Sequence, residues 1–86
     1  MTTTKLEIMT PQDMFFEGDV AILQVELSAG SEGYMPGHVW CRKLLRDPGK
    51  LKITLPDGSE RTAKIHGGFV EVRDNFTVFT ENIEWE

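Results

Sequence analysis

The chain has 86 residues, 40% of them hydrophobic and 27% charged, a composition that fits one small globular domain and excludes a disordered or fibrous protein. Nine Lys and Arg against 14 Asp and Glu give a net charge of −5, which makes nucleic acid and anionic lipid poor partners. Cys41 is the one cysteine, so no intramolecular disulfide forms, and neither a signal peptide nor a membrane span of ~18 apolar residues is visible. From composition alone we expect a cytosolic protein.

Glycines and prolines divide the chain into short apolar stretches at the roughly 8–12 residue spacing of an all-β sandwich or barrel. Lys5–Met9 alternates and predicts a first strand with Leu6 and Ile8 facing the core. Glu17–Asp19 predicts a tight turn into a longer strand over Val20–Leu27. The side chains expected on the inner face of that longer strand are Ala21, Leu23, Val25 and Leu27.

Two β-hairpins are expected in the second half of the chain. Lys50–Leu55 and Glu60–Ile65 alternate on either side of a Pro-Asp-Gly-Ser turn, which predicts the first hairpin. Phe69–Arg73 and Phe76–Thr80 flank Asp74-Asn75, a two-residue connection whose side chains tolerate positive φ, and predict the second. The acidic residues 81–86 are expected to end the last strand.

Residues 39–46 depart from the strand pattern. Trp40, Leu44 and Leu45 stand at i, i+4 and i+5, a spacing that one helical turn would bring together, although irregular chain fits equally well. No repeat or linker is present, so we predict a single domain over residues 1–86, with residues 1–4 and 81–86 as flexible or strand-end tails. The predicted fold is a small antiparallel β-sandwich.

The segment from Gly30 to His38 is the richest in glycine and turn-forming residues. A glycine-rich loop can hold phosphate through its backbone N–H groups, but this one lacks a Gly-Lys-Ser/Thr ending and a Gly-x-Gly-x-x-Gly pattern. The Glu32 carboxylate would also repel a phosphate. We therefore expect a structural loop and no cofactor or small-molecule ligand.

The candidates for catalysis are His38, His66 and Cys41. A Cys–His pair needs a third orienting group, and none can be named, so a partly buried, inert thiol is the more economical interpretation of Cys41. No two of these residues have the close spacing of a metal motif, so no metal site is expected. The carboxylates of the acidic tail are solvated or meet a basic partner; charge alone leaves both open.

A series of motifs resembles the epsilon subunit of F-type ATP synthases in order and spacing. The resemblance covers about residues 5–80, and the Pro-Gly-His loop followed by Gly-Gly-Phe-x-Glu-Val is its most specific part. The motifs are Lys5-Leu6-Glu7-Ile8-Met9-Thr10-Pro11, Glu17-Gly18-Asp19-Val20, Gly30 and Gly33 ahead of Pro36-Gly37-His38, Asp47-Pro48-Gly49-Lys50-Leu51-Lys52-Ile53 and Gly67-Gly68-Phe69-Val70-Glu71-Val72.

The resemblance implies a β-sandwich of about ten short strands and a non-catalytic rotor subunit that links the gamma subunit to the c-ring and supports coupling of ion translocation to ATP synthesis. It implies a peripheral position at the cytoplasmic face of the inner or plasma membrane, without direct membrane insertion or nucleic-acid binding. The alternatives are a stand-alone β-sandwich interaction module and a small Cys/His-dependent enzyme.

The resemblance also assigns residues. It implies c-ring contacts at Ser31, Glu32 and His38. Contacts with the gamma subunit are expected at Trp40, Arg42 and Lys43, where packing of the indole and solvation of the two cations are the competing interpretations. The structural loop residues are expected to be Gly30, Gly33, Pro36, Gly37, Gly67 and Gly68.

Two departures from the family qualify these expectations. The family usually has an acid where Ser31 stands and an aliphatic residue where Glu32 stands, so the ring-side charge is displaced by one residue. Family members commonly carry a further two-helix C-terminal domain that binds ATP in some of them and obstructs rotation. Residues 81–86 contain no counterpart of these helices, and we expect coupling without ATP binding or inhibition.

Overall fold

The structure is a computed structural model that describes residues 2–86; Met1 of the predicted N-terminal tail lies outside them. The described chain forms ten strands and no helix, arranged as two sheets of five strands, so the predicted ten-stranded β-sandwich is confirmed. The strands are β1 (Thr4–Met9), β2 (Met14–Val20), β3 (Ile22–Leu27), β4 (Gly30–Tyr34), β5 (Cys41–Leu44), β6 (Gly49–Thr54), β7 (Glu60–Ile65), β8 (Phe69–Val72), β9 (Phe76–Phe79) and β10 (Ile83–Trp85).

The first sheet has the order β2-β1-β9-β8-β5 and the second the order β10-β7-β6-β3-β4. Strand pairs within residues 2–86 are antiparallel except β1 with β9, which run parallel. The two predicted hairpins correspond to β6–β7 and β8–β9. Strands β4 and β5 lie at edges of different sheets, and the chain passes from one sheet to the other between them.

The core lies between the sheets and follows the alternation of the strands. Leu6 and Ile8 of β1 are fully buried, and so are Leu51 and Ile53 of β6. The side chains predicted to face the core along residues 20–27 are also buried, with Ala21, Leu23, Val25 and Leu27 at most 6% exposed. The strand itself is shorter than predicted, because Val20 ends β2 and β3 begins at Ile22. At ~1.5–3 kcal/mol for each fully buried large aliphatic side chain, this layer is the main source of stability.

Aromatic side chains close one open side of the sandwich, where β2 of the first sheet faces β10 of the second. The Trp85 ring lies 5.0 Å from the Phe15 ring and 6.1 Å from the Phe16 ring, measured between centroids. The guanidinium of Arg61 stands 3.9 Å above the indole. These contacts attach the short strand β10 to both sheets.

The turn predicted at Glu17–Asp19 is wrong. These residues lie within β2, where they pair with residues 5–7 of β1, and the chain changes sheet at Ala21 instead. Pairing with β1 satisfies the backbone groups of this polar stretch, which has no apolar alternation to identify it as a strand.

Three further predictions need correction. Residues 41–44 form a strand, and neither a helical turn nor irregular chain, because they pair with β8; Leu44 is 68% exposed while Leu45 is buried. The β8–β9 connection has three residues, with the Arg73 amide donating to the Asn75 carbonyl, and uses no positive φ. Residues 81–86 do not continue β9, since they cross to the second sheet and form β10 beside β7.

Candidate functional site

The outer face of the first sheet carries a continuous row of apolar side chains, here called the apolar row. Its five members are direct neighbours in register across all five strands. They are Met14, Met9, Phe79, Phe69 and Leu44. The Phe69 and Phe79 rings stack with centroids 5.8 Å apart, and Leu44 and Met14 are 68% and 43% exposed. At ~4.8 Å between strands, the row crosses about 20 Å of surface.

A second row runs beside the apolar row on the same face and is called the polar row. It joins Glu17, Glu7, Thr77, Glu71 and Arg42 in register. Three carboxylates therefore border the apolar row, and the single cation of the polar row stands at its β5 end. This face combines an apolar centre with an acidic flank, the composition of a protein–protein contact surface.

Two of the residues predicted to contact the gamma subunit border this face. The Arg42 guanidinium lies 4.2 Å from the centre of the Phe69 ring, so its flat side covers part of the apolar row. Trp40 is 59% exposed, and the Arg73 guanidinium stands 5.6 Å from its ring centre. The indole is therefore not a core residue, which disfavours the packing interpretation of Trp40.

The structure joins a predicted ring contact to a predicted gamma-subunit contact. Lys43 Nζ donates to both carboxylate oxygens of Glu32, at 2.8 and 2.9 Å. This hydrogen bond is the largest cause that raises the pKa of Lys43 and lowers that of Glu32. Lys43 points toward the gap between the sheets, unlike its neighbours Arg42 and Leu44, and the pair bridges that gap.

The other two predicted ring contacts lie at the two ends of the same segment. Ser31 is exposed on β4 and faces away from the core. His38 follows the turn at residues 36–37, where its amide donates to the Met35 carbonyl at 3.0 Å. Its ring packs edge-on against Tyr34, with centroids 4.9 Å apart. Ser31, Glu32 and His38 thus form no single cluster, but all lie on β4 and the turn that follows it.

Tyr34 anchors the end of β4 in the core. Its side chain is fully buried, and its hydroxyl makes no hydrogen bond of good geometry within residues 2–86, although it lies close enough to the Glu32 carboxylate to affect the pKa values of both groups. Burial, followed by the neighbouring Glu32 carboxylate, raises the pKa of Tyr34 well above its usual range, so the hydroxyl stays protonated. A buried donor without a partner costs stability that a phenyl ring would not.

The variant Tyr34→Phe is therefore expected to keep the unfolding free energy of the wild type or to raise it by up to about 1 kcal/mol. Urea unfolding followed by tryptophan fluorescence measures this. Tyr34→Ala is the control for the ring itself and should lose about 3–5 kcal/mol. A loss above about 1 kcal/mol in Tyr34→Phe would show that the hydroxyl is satisfied after all.

The candidate catalytic residues are not brought together. His66 Nδ1 lies 3.2 Å from Asp47, and His38 Nδ1 lies 2.7 Å from the Val39 carbonyl oxygen. Within residues 2–86 neither histidine has a hydrogen bond to Cys41, and no group of three or more His, Cys, Asp and Glu could hold a metal ion.

Residues 2–86 form no helix long and apolar enough to cross a membrane.

The predicted structural loop is only partly a loop. Gly30 and Gly33 lie in strand β4, which is a correction, because residues 30–34 pair along their whole length with β3. Gly37, after Pro36, has a φ of +86°, and Gly67 and Gly68 have φ values of +69° and +98°. The last three glycines therefore adopt backbone conformations that other residues avoid.

Sequence reasoning missed the apolar row. A signal was present, because Met9, Phe69 and Phe79 occupy outward positions of strands whose other faces are already apolar. Such strands are apolar on both faces, which indicates contact on both sides. Recognising that the outward residues adjoin one another requires the strand order and the register.

Comparison with known proteins identifies relatives of the whole described chain. Residues 3–86 match the family described as the ATP synthase delta/epsilon chain, beta-sandwich domain. The chain is 40% identical over 75 residues to an ATP synthase epsilon chain of Nitratiruptor sp., covering 87% of this chain and 57% of the relative. It is 38% identical over 88 residues to that of Ruminococcus albus, covering 99% and 63%. The chain thus spans about three fifths of the length of these relatives.

Two solved structures share the fold. A chain of the mitochondrial ATP synthase of Euglena gracilis, in an OSCP/F1/c-ring assembly, superposes with a TM-score of 0.91 at 22% identity, covering 99% of this chain and 54% of that one. A chain of the Tetrahymena thermophila mitochondrial ATP synthase central stalk and c-ring gives a TM-score of 0.78 at 16% identity, covering 96% and 66%. At these identities the likeness concerns the fold.

Proposed function

Since this chain belongs to the ATP synthase delta/epsilon beta-sandwich family, we propose that it is a non-catalytic subunit of an ATP synthase central stalk. In this role it links the gamma subunit to the c-ring and supports the coupling of ion translocation to ATP synthesis. Its place is peripheral, at the cytoplasmic face of the membrane that holds the ring. The relatives carry the name epsilon chain, and the related solved structures are rotor assemblies, which supports the proposal.

The apolar row is the observation that carries this proposal. Monomeric proteins seldom expose a contiguous band of large apolar side chains across a whole sheet, and such a band marks a surface that a partner covers. Removal of this row from water upon docking would supply the hydrophobic part of the binding free energy. A subunit held permanently in a complex needs such a surface, whereas a freely diffusing enzyme does not.

We assign the gamma subunit to this face. Arg42 stands on Phe69, so a partner that covers the apolar row also meets its guanidinium. Trp40 stands beside Arg73 near the β5 end of the sheet, within reach of the same partner. Tryptophan and arginine are the side chains most enriched among residues that dominate binding. Lys43 is hydrogen-bonded to Glu32 and contributes to binding of the gamma subunit only indirectly.

We assign the c-ring to β4 and the turn after it. Ser31 is an exposed hydrogen-bonding group, and the Glu32 carboxylate, whose side chain is 32% exposed, retains some access to solvent beside Lys43. His38 and the exposed Met35 extend this surface beyond Tyr34. A polar ring loop with a basic residue would complement it.

Binding to purified partners tests the proposed function. The chain, immobilised, is expected to retain the gamma subunit of the same organism and, in its presence, detergent-solubilised c-ring. Gamma binding should persist in 0.5 M salt because it is mainly apolar, while ring binding should weaken with salt. A chain that retains neither partner, alone or together, would contradict the role in the central stalk.

A further inference from the structure

Two edge strands from different sheets meet at the side of the sandwich opposite Trp85. β4 pairs only with β3, and β5 pairs only with β8. The bidentate contact from Lys43 to Glu32 spans the gap between these strands. Within residues 2–86 it is the one hydrogen-bonded link between β4 and β5.

β4 depends on this link more than an ordinary strand would. Two of its five residues are glycines, which leave the backbone less restricted than other residues do. In the connecting residues 35–40, the amide of His38 makes the one backbone hydrogen bond, to Met35. Tyr34 holds one end of β4 in the core, and Lys43 holds the middle of β4 through Glu32.

The charge of Glu32 is also explained by this contact. Glu32 lies two residues before the buried Tyr34 on the same face of β4, and a partly buried carboxylate there is favourable only with a cation beside it. Lys43 supplies that cation from the neighbouring edge, with side-chain exposures of 41% for Lys43 and 32% for Glu32. Two hydrogen bonds from one ammonium to both oxygens fix the relative position of the strands better than one would.

We propose that the Glu32–Lys43 pair is a latch that holds the ring-facing strand β4 and the gamma-facing strand β5 as one rigid unit. This inference rests on the proposed function and adds to it how force passes between the two contacts. Exposed ion pairs contribute little to global stability. The effect of the latch is therefore local: it limits the movement of β4 and the residues 35–40 relative to β5.

A charge-swap cycle tests the latch. Glu32→Lys, Lys43→Glu and the double variant are assembled with the gamma subunit and c-ring, and ion pumping per ATP hydrolysed is measured. Each single variant is expected to lower this ratio roughly two- to fivefold, and the double variant to restore it. The Lys52–Glu60 pair is the matched control, because its atoms lie 3.6 Å apart within the second sheet and neither residue belongs to the proposed gamma or ring contact. Reversing it should leave the ratio unchanged.

Hydrogen exchange on the chain alone provides the second measurement. Faster exchange is expected at the His38 amide and in β4 of each single variant, with return to the wild-type rate in the double variant. Unchanged pumping or unchanged exchange in the single variants would overturn the latch. A defect in Glu32→Lys that Lys43→Glu does not repair would also overturn it and would show that Glu32 meets a partner's charge directly. Failure of the wild-type chain to bind the gamma subunit contradicts the proposed function instead, while the exchange experiment still tests the latch.

Discussion

The variant Gly68→Ala is expected to lose about 3–5 kcal/mol of unfolding free energy, a large part of the stability of a domain of this size. A Cβ at this position would lie 1.8 Å from the carbonyl oxygen of Phe79 and 2.8 Å from the Cα of Thr80. Both neighbours are backbone atoms, so no side chain can turn away. The φ of +98° adds a second penalty, because residues with a Cβ rarely adopt it.

The Gly68 backbone has little freedom to move in compensation. Its carbonyl accepts a hydrogen bond from the Leu45 amide at 2.9 Å, which ties the start of β8 to the chain beyond β5. A shift that relieved the clash with Phe79 would stretch this bond. Urea unfolding followed by tryptophan fluorescence should give a strongly reduced midpoint.

Gly37→Ala is the matched control for Gly68→Ala. Gly37 has a similar φ of +86°, but a Cβ there would meet no atom within 4 Å. This variant isolates the conformational penalty and should cost about 1–2 kcal/mol. Equal losses in the two variants would contradict the close approach of Gly68 to β9 and leave only the backbone conformation to explain both.

The inner faces of the strands could be predicted because alternation is a local property. Leu6 and Ile8 stand two residues apart and must point the same way in any strand. The β6–β7 hairpin was likewise predictable, since its turn residues adjoin both strands. None of these predictions required knowledge of which strands pair.

Strands defined only by their partners could not be predicted. Residues 17–19 have the composition of a turn, yet they form part of β2 because β1 supplies hydrogen-bond partners for their backbone. The spacing of Trp40, Leu44 and Leu45 is typical of a helical turn. In the structure Leu44 and Leu45 point to opposite sides, and Leu45 reaches the core through its pairing with Leu27 of β3.

The two features that carry the proposals depend on contacts distant in sequence. The sequence assigns Glu32 and Lys43 to different partners, because an ion pair across two sheets cannot be inferred from an 11-residue separation. Similarly, Met9 and Phe79 are neighbours only through the parallel pairing of β1 with β9. The sequence resemblance therefore indicated the family, while the contact surface became visible only with the register of the first sheet.

The variant Leu44→Asp is expected to weaken binding of the gamma subunit by at least about 30-fold, equivalent to about 2 kcal/mol. Leu44 ends the apolar row at the free edge of β5, next to Phe69, and is 68% exposed. The carboxylate introduced at this position would lose its hydration when the gamma subunit docks, because docking buries it without a partner. Isothermal titration or surface binding measures the change in Kd.

The fold should tolerate this substitution, which makes the binding result interpretable. Leu44 is largely solvated in the free chain, and exposed positions of this kind usually change unfolding free energy by no more than about 0.5 kcal/mol. Gln24→Glu supplies the matched control, since it adds the same charge at an exposed position of β3 in the second sheet. The control should bind the gamma subunit as the wild type does, because its charge lies on the opposite side of the sandwich.

The pattern of results separates three explanations for any loss of binding. A folded Leu44→Asp variant with weak binding, beside a normal Gln24→Glu variant, assigns docking to the apolar row. Equal weakening in both variants indicates general repulsion between the acidic chain and its partner, and raising the salt concentration should then restore both. If folded Leu44→Asp binds within about twofold of the wild type, the β5 end of the apolar row lies outside the contact, since burying an unpaired carboxylate costs more than that.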